Sequence, residues 1–256
     1  MFLEEAGAQF LFMLIFVAVV YFFIQRSSAG THVPEIRKVA GLEYIDTAIG
    51  RATEMGRPVH FTPGLFGVDA PETLASFAIL GHVARESARY DARLIVSNFE
   101  LPVLGINQEI VRQAYLEAGR PERFNPLDVR YMSSDQFGYA AGVAGLLHRE
   151  NVGANIMVGA FAAEAMVLAE SGYQAGALQV GGTTFIQSLP WFIVAADHTL
   201  IGEEIYAAGA YLSRDPVLTG TIAAQDLAKI GIIGLVILGT FLNTLGLTWL
   251  ETVLSW

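Results

Sequence analysis

Leu94-Ile95-Val96, followed at once by Ser97-Asn98-Phe99-Glu100, is the stretch that decides the fold. Three successive apolar residues give way to small polar ones, without the in–out alternation of a strand wetted on one face. A strand of that kind is covered on both sides, as in a parallel sheet flanked by helices. Runs of the same character recur at Val59–Phe61, Val129–Met132, Ile156–Val158, Leu178–Val180 and Phe192–Ala195.

Helix-period stretches separate these runs. Leu42 to Met55 lines up Leu42, Ile45, Ile49 and Ala52 on one face. Asp69-Ala70-Pro71-Glu72 puts a proline and an acid in a first turn, and that helix runs to about Tyr90. Ile106 to Ala118 stops at Gly119 and Pro121, and Ser133-Ser134-Asp135 opens a helix towards Arg149. Ala162 to Glu170 and Leu200 to Leu212 complete the set. The alternation predicts an α/β domain over residues 35–226: three-layer, Rossmann-like, with a mostly parallel sheet of five or six strands. Val180 to Trp191 shows no helix, which leaves the last two strands joined by a hairpin or an irregular loop, with one of them open to an antiparallel course. No fixed-period repeat points to a solenoid.

Outside the domain the composition changes. Only 16% of the 256 residues are charged and 53% are hydrophobic, against about 25% charged in a water-soluble chain. Two uncharged segments account for the excess: Ala6 to Ile24 and Ile230 to Leu250. At about 1.5 Å per residue each approaches or spans a hydrocarbon core of about 30 Å. Both read as transmembrane helices, with Tyr21 and Trp249 near their ends. The expected organisation is a first span over 1–25, a linker over 26–34, the α/β domain, and a second span with a short tail over 227–256. A cleaved signal peptide is the alternative for the first segment. Glu4 and Glu5 ahead of the apolar run, where a signal peptide carries basic residues, argue for an anchor.

All 15 Lys and Arg residues lie between Arg26 and Lys229, and both tails have none. The positive-inside rule then puts the central domain in the cytoplasm and both termini outside a two-pass plasma-membrane protein. Absence of cysteine excludes disulfides, thiolate metal sites and cysteine nucleophiles. A net charge of -10 disfavours nucleic acid as a partner.

Ligands of an open parallel sheet bind beyond the strands' carboxyl ends. Those ends supply Thr62 and Gly64, Ser97 and Asn98, Ser134 and Asp135, Gly181, Gly182, Thr183 and Thr184, and Asp197 and His198 as candidate ligand-binding residues. Each has a simpler reading. Ser133, Ser134 and Asp135 suit a helix cap, and the glycines suit turns. Gly181-Gly182-Thr183-Thr184 lacks both the P-loop ending and the three-glycine dinucleotide spacing. Asp197-His198 with Glu203 and Glu204 is the nearest approach to a metal or proton-transfer set, yet a capped helix with solvated acids explains it as well. Glu164, in an apolar helix start, calls for dipole stabilisation or a partner such as Arg149 or Arg130. No serine sits in a nucleophile elbow and the five histidines are scattered. Neither a cofactor nor a metal site is indicated.

Helix surfaces from Ala140 to Ala177 are rich in Ala and Gly, which suits packing on the sheet and also a subunit contact. The second span carries Gly231, Gly234, Gly239 and Gly246 with Thr240, Asn243 and Thr244, residues that helix contacts in lipid use. The first span is bulky and phenylalanine-rich, as suits contact with lipid.

The order anchor, Pro34-Glu35-Ile36-Arg37-Lys38, His60-Phe61-Thr62-Pro63-Gly64, Gly181-Gly182-Thr183-Thr184 and closing anchor resembles an uncharacterised family of bacterial and archaeal membrane proteins, a domain of unknown function. The resemblance spans nearly the whole chain and implies an α/β domain between two membrane helices, with no catalytic residues attached. The leading expectation is a non-enzymatic, homo-oligomeric membrane assembly protein. Two alternatives stay open: a membrane-tethered enzyme or sensor for a small polar or phosphorylated ligand, and an accessory subunit of a larger membrane complex.

Overall fold

Strand β1 (Val59–Gly64) lies at the middle of a six-stranded sheet, with β2 (Leu94–Asn98) on one side and β4 (Ala154–Ala160) on the other. A computed structural model describes residues 7–29 and 39–246 of the chain. With β3 (Val129–Tyr131), β5 (Leu178–Thr183) and β6 (His198–Ile201), the order is β3-β2-β1-β4-β5-β6. Every neighbouring pair is parallel. The antiparallel course left open for the end of the sheet does not occur.

Alternation along the strands sorts the core into two layers. Val59, Phe61, Val96, Ile156, Val158 and Leu200 point to one face. There they meet α2 (Ala40–Glu54), α3 (Pro71–Arg89), α4 (Leu101–Glu117) and α8 (Glu204–Ser213). Ile95 and Met157 point to the other, under α5 (Gln136–Arg149), α6 (Glu164–Gln174) and α7 (Leu189–Ala195). Helix on sheet on helix buries both faces, so β1, β2 and β4 have no exposed residue.

One expected strand is a helix. Phe192–Ala195 belongs to α7, started by Pro190 in its first turn. The sheet's last strand begins later, at His198. Phe192 supplies the reason: its ring is fully buried, edge-on to Phe161 at 5.1 Å between centroids, and it rests on Gly181, where a Cβ would collide with it. The apolar run serves to cover β5, and the first residues of the expected Leu200–Leu212 helix enter β6.

Contacts divide the chain into two units, Arg37–Ser213 and the pair Met1–Ile36 with Arg214–Trp256. In the second unit α1 (Gly7–Ser28) packs on α9 (Pro216–Thr244). Gly220 of α9 lies against the backbone of Phe23 and Ile24. Both helices contain a stretch long and apolar enough to cross a membrane, Gln9–Ser28 and Pro216–Thr244. Helix α1 continues through Gln25–Ser28, where an exposed linker is expected from Ser27 and Ser28. Helix α9 starts at Pro216, well ahead of Ile230, because Asp215 caps it by accepting a hydrogen bond from Val217 N (2.8 Å). Glu4, Glu5, the rest of the linker with Pro34–Lys38, Trp249 and the end of the second span lie outside the described residues.

Candidate functional site

Successive strands are added leftward up to β3 and rightward from β4, so the strand order switches between β1 and β4, and their carboxyl ends are the place where sheets of this order open a crevice. Here the crevice is closed by backbone. Gly64 (φ +92°) and Gly159 (φ +151°) face each other so closely that a Cβ on the first would strike the carbonyl of Ala160, and one on the second the carbonyl of Pro63. Leu65 N donates to Ala160 O at 3.0 Å and extends the clasp beyond the sheet.

The helix that follows β1 is the position where this fold receives a phosphate. In this chain Glu72, in the first turn of α3, holds that end itself. Its Oε1 accepts the hydroxyls of Thr184 and of Tyr206 (2.9 Å). Burial pushes the carboxyl up, but the hydrogen bonds from Thr184, its own backbone N–H and Tyr206 outweigh that and hold it below the usual value. Burial and the neighbouring carboxylate raise the Tyr206 hydroxyl to about 12, so it stays a donor. Phe66 and Phe185 meet beside this cluster, 5.0 Å between centroids, and join the loops after β1 and β5.

Other strand-end groups are also engaged internally. Thr62 pairs with the Tyr139 hydroxyl, and Asn98 accepts from Asn107 Nδ2 (2.6 Å) while donating to Arg130 O (3.2 Å). Asp135 caps α5 by accepting from Gly138 N (2.7 Å), with Ser134 exposed beside it. Thr183 accepts from Phe185 N (3.2 Å). Gly181 and Gly182 lie within β5 and make room for Phe192 and Leu200. Fully buried Glu164 accepts from Gln136 Nε2 (2.8 Å) and Ala162 N (2.9 Å). The expected arginine partners are not used: Arg130 pairs with Asp128 and Glu150.

Asp197 and His198 are not part of this edge. Because β6 begins at His198, both lie at the amino edge of the sheet, at the opposite end of β6 from Glu203 and Glu204. Asp197 accepts from Gln179 N (2.7 Å), and His198 stacks on Tyr44 at 4.2 Å. The acid–histidine set weighed for this stretch is therefore not assembled, and Asp197 does not cap the last helix of the domain either, since α8 starts at Glu204. Glu204 instead accepts from Ile201 N (2.8 Å) at the start of α8.

A second polar constellation runs through the core, of which sequence reasoning singled out only Ser97. Ser97 Oγ lies 2.9 Å from His60 Nε2, His60 Nδ1 lies 2.7 Å from Asn155 Oδ1, and Asn155 Nδ2 donates to Gln179 Oε1 (2.9 Å). Gln179 Nε2 donates to the carbonyls of Ala169 and Ala195. Those last bonds orient the whole row: Asn155 Oδ1 must accept, so His60 carries its proton on Nδ1 and accepts from Ser97. The connectivity is that of a nucleophile, base and orienting amide. Ser97, His60 and Asn155 are completely buried, however, and α5 and α6 cover them. Burial lowers His60 to about 4, further helped by Arg130 and only partly opposed by Asn155, so the ring is neutral. This is an internal seam across four strands, closed to substrate. Gly172 of α6 sits directly over it, where a Cβ would collide with Gln179.

Among the described residues, no cluster of three or more His, Asp or Glu side chains could hold a metal ion. A family model described as a domain of unknown function, DUF6754, matches residues 1–254. The chain belongs to the DUF6754 family. No curated protein and no solved structure matches this DUF6754 chain.

Proposed function

We propose that this DUF6754 protein is a two-pass membrane-anchored assembly protein of bacterial or archaeal type. The α/β domain lies on the cytoplasmic side and further copies of the chain associate through the membrane helices. The observation that carries the assembly is on α9: among the described residues a Cβ at Gly231 or at Gly234 would meet nothing within 4 Å, which leaves these positions open to another helix. Confinement of all 15 Lys and Arg to residues 26–229 supports the orientation. At the strand ends, Glu72, Thr62, Asn98, Asp135 and Thr184 are committed to other side chains or to the backbone, which supports a structural role over catalysis. Mass measurement in mild detergent tests the reading. A discrete multimer is expected, reduced to smaller species by Gly231→Leu with Gly234→Leu, and a monodisperse monomer of the parent chain would sink it.

The strand order favours a second reading, a membrane-tethered sensor or enzyme with a ligand at the loops after β1 and β5, beside the backbone clasp that closes the crevice itself. The carboxylate of Glu72 at the start of α3 argues for a polar ligand over a phosphorylated one. Thermal-shift screening separates the readings, since a ligand at a hundred times its dissociation constant adds about 2.7 kcal/mol, and Thr184→Val should remove that gain.

A further inference from the structure

Tyr44, Ala48 and Arg51 follow one another at helical spacing and fall on one face of α2. Opposite them, the amino ends of β5 and β6 bring up Leu178, Val180, Asp197 and His198, and the space between is a cavity of about 270 Å³. Ala48 and Val180 are buried and, with Leu178, make its floor apolar. Half-exposed Tyr44 closes one end by stacking on His198 at 4.2 Å between centroids.

Two charged groups line this cavity from opposite sides without meeting. Arg51, in the last turn of α2, forms no ion pair and no side-chain hydrogen bond among the described residues. Elsewhere in the domain Arg85, Arg112 and Arg123 each find a carboxylate within 3.1 Å. On the strand side Asp197 engages only Oδ2, which accepts from Gln179 N (2.7 Å). Its Oδ1 has no partner among the described residues. The cavity therefore offers a cation on one wall, an open anionic acceptor on the other and an apolar floor. A bare anion would face the carboxylate of Asp197, and a bare cation the guanidinium of Arg51. A molecule that carries both charges suits both walls. Pockets for drug-sized ligands start at about 300 Å³, so the occupant is smaller than those.

We propose that this cavity binds a free α-amino acid with an apolar side chain. Its carboxylate takes paired N–H bonds from Arg51, its ammonium donates to Asp197 Oδ1, and its side chain lies on Ala48, Leu178 and Val180. The site is at the opposite edge of the sheet from the loops after β1 and β5, and it does not depend on self-association.

The full chain in a non-ionic detergent is titrated by calorimetry with alanine, valine, leucine, methionine and phenylalanine. The tightest of them is then compared with its amide, which lacks the carboxylate, and with the acid that lacks the amine. Saturable heat is expected with the amino acid, and affinity lower by about tenfold or more for both analogues, the worth of a charged hydrogen bond. Arg51→Gln should bring the amino acid down to the affinity of its amide. Asp197→Asn, which keeps an acceptor for Gln179 N, should bring it down to that of the amine-free acid. Arg149→Gln, on α5 and outside the cavity, should change nothing. No saturable heat with any of these amino acids overturns the proposal, as do analogues that bind equally well or binding that survives both Arg51→Gln and Asp197→Asn. The analogue comparison needs no substitution, so it decides even where a variant fails to fold. The mass of the chain is read separately, so failure of binding and failure of self-association are distinguishable.

Discussion

His60 donates through Nδ1 to Asn155 Oδ1 at 2.7 Å, in the fully buried interior of the sheet. The two residues are direct register partners on β1 and β4, and Gln179 continues the row on β5. Protonating the ring would place a charge where no carboxylate reaches it.

Acid sensitivity follows from that depressed value. With His60 at about 4 when folded and about 6.5 when unfolded, the unfolded chain binds the extra proton first. Stability is complete above about pH 6.5 and falls as pH drops towards 4, by roughly 3 kcal/mol. Thermal unfolding between pH 7 and 4.5 should show this loss, and His60→Gln should flatten the slope over the same interval.

Cutting the row costs more than one hydrogen bond. Asn155→Leu leaves His60 Nδ1–H and Gln179 Oε1 without partners in a dry core, and about 2–4 kcal/mol of stability is expected to go. His60→Leu should recover part of the loss in a double-mutant cycle, whereas additive effects would show that the two residues do not act together.

Alanine at Gly64 or Gly159 should be among the most damaging single changes in the chain. Each adds a Cβ against a neighbouring carbonyl at a positive φ, a combination of overpacking and strain costing about 3 kcal/mol or more. Ala at Gly50, where a Cβ would meet nothing within 4 Å, should be neutral or stabilising. Comparison of unfolding midpoints checks both.

The absence of native cysteine makes the orientation directly measurable. A single cysteine at exposed Leu127 or Ser134 should escape a membrane-impermeant maleimide in intact cells and react after lysis. Labelling before lysis would place the α/β domain outside.

Most of the architecture was legible because the central strands are short, apolar on successive residues and separated by helices with visible starts. What escaped notice depends on tertiary partners. Phe192–Ala195 has a strand's composition, but its Phe192 ring packs on Gly181 from a helix; with that misplacement Asp197 and His198 went to the wrong edge. The buried row did leave a trace. Val59-His60-Phe61, Ala154-Asn155-Ile156 and Leu178-Gln179-Val180 each hold one hydrogen-bonding residue at the second position of an apolar run. Three such interruptions at one level of a parallel sheet imply a chain of partners, although which of them touch is settled by strand order, which a single sequence does not state. For the strand-end candidates, residue type showed polarity but not that Glu72 would accept from both Thr184 and Tyr206, each on another element.

The mutual fit of Gly64 and Gly159 has a genealogical consequence. Neither position can take a side chain unless the opposing backbone moves, so each is expected to stay glycine on its own account. In distant descendants whose overall resemblance has faded, paired glycines at the ends of the first and fourth strands would serve as a birthmark of common ancestry.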